Sequence, residues 1–267
     1  MRNALAIARK ELGIYFTTPL AWIIFTAMGF LSSLFFVGIL GGFKQVQELA
    51  RQVTWAKLPP DYALFKNLTD GVIVQLLGTV LIITLFVAPF LSMRLFAEER
   101  RQKTFELLMT CPVRPIEIVL GKYLAALGII SATLGITLIY PFILALFGSS
   151  ESGSALEWST VTLGYLSMLL LGATVMAIGM FISSLTESQM VAAFFTFVVA
   201  LAWFALGMVA QQVDEPVRSV ITYLSFDSQL RNMMKGVFDP KALVFFVTII
   251  VLQIVLTHRA VDAQRWT

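Results

Sequence analysis

The sequence predicts an all-α membrane protein with six transmembrane helices, and three observations predict it. The first is composition. Of 267 residues, 58% are hydrophobic and 13% charged, where a soluble domain carries roughly 45–50% apolar and about 25% charged residues. The second is clumping of charge. Residues 12–43, 71–93, 123–150, 158–186, 188–213 and 242–258 contain no Asp, Glu, Lys or Arg. A membrane-crossing helix needs roughly 20 apolar residues, within about 17–25. Five of these gaps exceed that length. The sixth meets it through the run Leu243, Val244, Phe245, Phe246, Val247, Ile249, Ile250 and Val251. The third is periodicity. Barrel strands of about 9–11 residues alternate apolar and polar positions, whereas these stretches are longer and apolar all round.

The chain reads as one transmembrane domain over 1–267. Residues 1–17 predict an interfacial helix, with Leu5, Ala8, Leu12 and Tyr15 on one face and Arg2, Arg9 and Lys10 elsewhere. Thr18 and Pro19 supply an N-cap and an N1 proline for the first span. That span, 19–41, is longer than the roughly 7–15 apolar residues of a signal peptide and is read as retained. Beyond it, Val46, Leu49 and Val53 space a partly amphipathic helix that Pro59-Pro60 ends. The other spans are 71–93, 119–147, 160–185, 190–211 and 241–257. Spans four and five are joined by so few residues that they form a tight hairpin. Residues 226–236 predict a short helix, capped by Ser225 or Asp227, with Leu230, Met233 and Met234 as its apolar positions and Gly236 as its end. Span three carries Gly121, Ala125, Gly128, Ala132 and Gly135, and span four carries Gly172 and Gly179. Such small residues let helices approach closely.

An even number of spans puts both termini on one side. That side holds Arg2, Arg9, Lys10, Arg94, Arg100, Arg101, Lys103, Arg114, Lys122, Arg259 and Arg265. The other holds Lys44, Arg51, Lys57, Lys66, Arg218, Arg231, Lys235 and Lys241. The positive-inside rule therefore predicts cytoplasmic termini.

Several functions are excluded by residue type. A P-loop needs a glycine, four residues, then Gly-Lys-Ser/Thr. Here Gly121-Lys122 is followed by Tyr123, and Ile116 stands where the first glycine should be. One histidine, His258, and one cysteine, Cys111, cannot build a usual zinc site or an internal disulfide. No catalytic residue, cofactor-binding residue or metal ligand is expected. Net charge of +3 is too diffuse to point to nucleic acid. The spans hold no ionisable group away from their ends, which argues against an ion-coupled carrier. Energy for any transport must then come from outside the chain.

The segment between spans two and three, 94–118, is the most informative. Glu98, Glu99, Arg100 and Arg101 form a mixed charge cluster. A short apolar helix candidate, Phe105 to Met109, follows, and Pro112 and Pro115 break it. Such an element, too short to span, reads as a docking site.

This stretch resembles the ABC-2 permease family. The family pattern runs from a Glu-rich, Arg-containing turn into a Thr-Leu-Glu-Leu-Leu-Leu-Thr-Ser-Pro-Val segment, then an Ile-Val-Leu-Gly-Lys helix start. The chain has Thr104, Phe105, Glu106, Leu107, Leu108, Met109, Thr110, Cys111, Pro112 and Val113, then Ile118, Val119, Leu120, Gly121 and Lys122. Phe105, Met109 and Cys111 replace the commoner Leu, Leu and Ser. The C-terminal part, from Ser225-Phe226-Asp227 onward, is similar to the branch of gliding-motility and nitrous-oxide-reductase-maturation permeases.

The resemblance implies a type V exporter-like permease fold with an N-terminal interfacial helix, in a bacterial or archaeal cytoplasmic (inner) membrane. It implies a coupling helix docked on a separate ABC ATPase subunit, which binds the ATP and Mg, and it implies export. Carried over, Phe105, Leu107, Leu108 and Met109 supply the apolar docking face. Glu98, Glu99, Arg100, Arg101, Thr104 and Glu106 surround it. It further implies a second permease protomer, identical or different, with spans one and five nearest it, and leaves room for an accessory membrane or periplasmic protein. The rival from another class is a non-transporting anchor that passes ATPase-driven motion to an envelope machine. An intramembrane enzyme and a secondary carrier are the remaining alternatives.

Overall fold

The computed structural model describes residues 2–52, 67–105, 113–148 and 156–263. All regular structure among them is helical. Six helical stretches are long and apolar enough to cross a membrane, at Pro19–Gln52, Thr69–Arg101, Pro115–Phe147, Trp158–Leu185, Gln189–Val209 and Pro240–Ala263.

Helix α1 covers Arg2–Thr17 and α2 covers Pro19–Gln52. At 1.5 Å per residue, a 34-residue helix is about 51 Å long, well beyond the roughly 30 Å of a hydrocarbon core. The expected end at residue 41 is therefore overrun. Lys44 marks where the apolar stretch stops, but Lys, Gln, Glu, Ala and Arg are good helix formers and carry the helix on. The separate helix expected after residue 42 is the tail of α2, with Val46 buried and Leu49 exposed. Val53 and Pro59-Pro60 lie outside the described residues.

A six-residue π-helical stretch, Thr69–Val74, leads into α3, Gln75–Ser92. After Met93 the chain continues as α4, Arg94–Arg101. Helix α5 covers Pro115–Thr137. Arg114 is its N-cap, Glu117 reaches back to the Arg114 amide, and Pro115 fills the first turn. The third span was expected unbroken, but it breaks at Leu138, and α6 covers Ile139–Phe147. Pro141 has no N–H to give the Thr137 carbonyl. The Tyr165 hydroxyl donates to that carbonyl instead, at 2.8 Å.

Helix α7, Trp158–Leu185, is the central post, with 72% of its apolar window buried against 22% for α2. Its glycines explain how it gets there. A Cβ on Gly172 would lie 2.8 Å from the Ile130 side chain of α5, and one on Gly164 would overlap Leu77 of α3. The small residues of span four therefore serve internal packing. Thr186, Glu187 and Ser188 connect α7 to α8, Gln189–Val209, as the short connection required.

A 3-10 turn, Ala210–Gln212, then precedes α9, Val217–Leu224, and α10, Phe226–Met234. The Ser225 hydroxyl caps α10 by accepting from the Ser228 amide, and Gly236, with φ of 81°, ends it. Leu230 and Met233 are buried as expected. Phe226 anchors α10 by stacking on Trp203 of α8, ring centroids 4.8 Å apart. It also packs against Phe245 and Phe246 of the last helix, α11, Pro240–Ala263.

Candidate coupling site

The region where α1, α4, α5 and the C-terminal end of α7 meet is built around one cation. Lys122, on the second turn of α5, is 1% exposed. Its ammonium lies 3.2 Å from Glu11 Oε1 of α1 and 2.9 Å from Glu99 Oε1 of α4. It also sits 5.2 Å from the centre of the Phe96 ring. A buried charge is tolerable only when paired, so Glu11 and Glu99 are conditions for Lys122 being there.

Helix α1 reaches this position because α5 gives way to it. A Cβ on Gly121 would lie 2.8 Å from the Ala4 carbonyl oxygen, and one on Gly128 would lie 2.9 Å from the Leu12 side chain. Low-numbered residues of α1 thus meet low-numbered residues of α5, and the two helices run side by side in the same direction. The buried face of α1 is Ala4, Ala8, Glu11 and Tyr15. Leu5, expected on that face, is 63% exposed. The two glycines receive the Ile7 and Leu12 side chains and Lys122 receives Glu11, so the packing face is rotated from the one hydrophobicity suggests. The Tyr15 hydroxyl donates to the Leu91 carbonyl at 2.6 Å. Burial, helped by the Glu11 carboxylate, raises the pKa of the phenol, which keeps it a proton donor. Gly135, the last of the span-three series, has nothing within 4 Å.

The expected docking residues divide in four. Glu98 and Glu99 turn into the molecule. Glu98 takes a two-pronged ion pair from Arg94, at 2.7 and 2.9 Å, and Glu99 holds Lys122. Phe105 is also buried and packs edge-on against Phe96, with the Arg100 guanidinium 5.4 Å from its ring. Arg101 and Thr104 face outward. Glu106, Leu107, Leu108 and Met109 lie outside the described residues. Arg100 is half-buried, and its Nε and Nη2 have no hydrogen-bond acceptor among the described residues.

Helix α4 ends in a Schellman arrangement. The Thr104 amide bonds the Glu99 carbonyl and the Lys103 amide bonds the Arg100 carbonyl, both at 3.0 Å. Lys103 adopts φ of 55° to allow it. At its start, α4 is held by Ser183 of α7, whose hydroxyl oxygen accepts from the Phe96 and Ala97 amides at 3.1 and 3.0 Å. The same hydroxyl donates to the Met93 carbonyl at 2.9 Å.

Lys122 and Glu11 were not among the expected site residues. The available signal was Glu11 spaced with Ala4, Ala8 and Tyr15 on one helical face. Its partner lies 111 residues away, and that pairing has no local signature.

Among the described residues, no group of three His, Cys, Asp or Glu side chains is placed to hold a metal. The arrangement joins α1, α4 and α5 through one buried ion cluster. The family model described as "ABC-2 family transporter protein" matches residues 5–258. The chain matches no curated protein.

Proposed function

This chain belongs to the ABC-2 transporter family, as a multi-pass transmembrane permease subunit, and on that premise we propose that a separate ATPase drives it by docking on the 98–112 segment. That partner carries the ATP and Mg; this chain carries the path. The bias of Lys and Arg toward the side of the termini supports a cytoplasmic placement of α1, α4 and the docking segment. The direction is export, from a bacterial or archaeal inner membrane, and two permease protomers form the transporter.

The observation that carries this reading is the Glu11–Lys122–Glu99 cluster. Helix α4 runs directly out of span α3 and leads into the docking segment. The cluster ties α4 to α1 and α5, and Ser183 ties it to α7. Closure of two ATPase domains would displace the docking segment, and α4 would deliver that displacement to three helices. The outward Arg101 suits an acidic rim on the ATPase.

The test is co-purification. The detergent-solubilised chain is pulled down from its native host beside a variant carrying Arg100→Glu, Arg101→Glu and Leu108→Asp. A P-loop ATPase is expected with the native chain and absent from the variant, with both eluting as folded species. Equal recovery from both would remove the docking site. No ATPase with either, under conditions that preserve other membrane complexes, would remove the coupling reading.

A further inference from the structure

The junction between α3 and α4 is interrupted in a specific way. In an unbroken helix the Ala97 amide would bond the Met93 carbonyl. Here the Ser183 hydroxyl stands between them, receiving from the Phe96 and Ala97 amides and donating to the Met93 carbonyl. A side chain inserted into the hydrogen-bond ladder is a recognised cause of helix kinks. One turn earlier, Pro89 lies inside α3 and removes another ladder donor. Ser183 is fully buried and sits on the most buried span. A turn before it on α7, a Cβ on Gly179 would overlap the Ser92 hydroxyl, so α7 and the end of α3 are in intimate contact at this level.

We propose that Ser183 is the pivot of a lever formed by α4, setting its angle to span α3 and letting it swing when the docking segment is pushed. The inference rests on the reading that this segment receives an ATPase. Ser183 is a positioning residue: it touches neither nucleotide nor cargo. Its hydroxyl satisfies three backbone groups at once, the Phe96 and Ala97 amides and the Met93 carbonyl, which lowers the cost of the break. Without it, the Ala97 amide and the Met93 carbonyl can rejoin, and α4 becomes a direct continuation of α3. The far end of the lever is held through Glu99 and Lys122, so pivot and load are separate residues on separate helices.

The test uses the full chain in nanodiscs, with Cys111→Ser as background and spin labels at Gln102→Cys and Ser188→Cys. Gln102 is nine residues beyond Met93, about 13 Å along a helix. A change of about 20° in the kink moves it by about 5 Å. Ser183→Ala is expected to shift the label separation by about that amount, whereas Ser183→Thr, which keeps the hydroxyl, leaves it unchanged. Should Ser183→Ala lose its normal elution profile, Ser183→Gly replaces it. A separation equal to wild type in the hydroxyl-free variant, or an equal shift in Ser183→Thr, overturns the pivot.

A second measurement adds the co-purified ATPase and a non-hydrolysable ATP analogue. The wild-type separation is expected to change on nucleotide binding. In Ser183→Ala that change is lost while ATPase capture persists, a split that simple loss of stability would not produce. An undiminished nucleotide response in Ser183→Ala overturns the proposal. If the wild-type chain captures no ATPase, the docking reading fails, and the partner-free separation still decides the pivot.

Discussion

Lys122 is the residue on which the junction of α1, α4 and α5 depends. Its ammonium is out of water, and two carboxylates share it. Removing one member of a buried ion pair costs about 3–5 kcal/mol, while replacing the whole set with apolar or neutral groups is often tolerated. Lys122→Met is therefore expected to lower stability by about that amount, measured by denaturation in detergent. Adding Glu11→Gln and Glu99→Gln to it should recover most of the loss. A second residue tests the end of α4. Lys103 is held at φ of 55°, and the left-handed region costs a non-glycine residue about 1–2 kcal/mol. Lys103→Gly should stabilise the chain by about 1 kcal/mol in the same measurement, after allowance for the freer unfolded chain. At this scale the sequence was partly informative. The charge run at 98–101 stood out because charges are rare here. That Glu98 and Glu99 turn inward depends on Arg94 and Lys122, which only the folded chain brings to them.

At the scale of the element, the glycines of α5 do different jobs despite a uniform spacing. Replacing a helical glycine with alanine gains about 1 kcal/mol from propensity, while overpacking costs about 1–3 kcal/mol. Gly135→Ala, with open space around it, should keep the gain. Gly121→Ala should lose more than it gains, because Ala4 and Ile7 of α1 stand in the way. The check is the pair of melting temperatures, with protease sensitivity of α1 rising only in Gly121→Ala. The six spans themselves were readable from charge-free length, since bilayer thickness imposes that length on the sequence. Their ends were less so. Hydrophobicity reports where lipid stops and says little about where hydrogen bonding stops, so α2 runs on to Gln52 and α3 continues as α4. The break at Leu138 had a visible cause in Pro141, but its repair by Tyr165 comes from another helix.

At the scale of the whole molecule, a buried post, α7, is surrounded by helices whose outer faces remain apolar. On α2 these faces include Trp22, Ile23, Phe30 and Leu34, and on α8 Met190, Phe194 and Phe195. Lipid or a second protomer must cover them. The proposed orientation is tested by an impermeant maleimide on intact cells, in the Cys111→Ser background. Val237→Cys, 60% exposed at native Val237, should label at once. Gln102→Cys should label only after permeabilisation, and the reverse order would invert the topology. The ion cluster also has a consequence for how the chain is made. Glu11 leaves the ribosome 111 residues ahead of Lys122, which at about 5–20 residues per second is roughly 6–22 seconds. Glu99 emerges much later, shortly before the lysine itself. During that interval Glu11 waits without its counter-ion, and α1 has no α5 to lie against. Closure of this end therefore waits on the translation of α5, and a nascent chain stalled before Lys122 holds Glu11 and Glu99 without the ammonium that joins them in the finished fold.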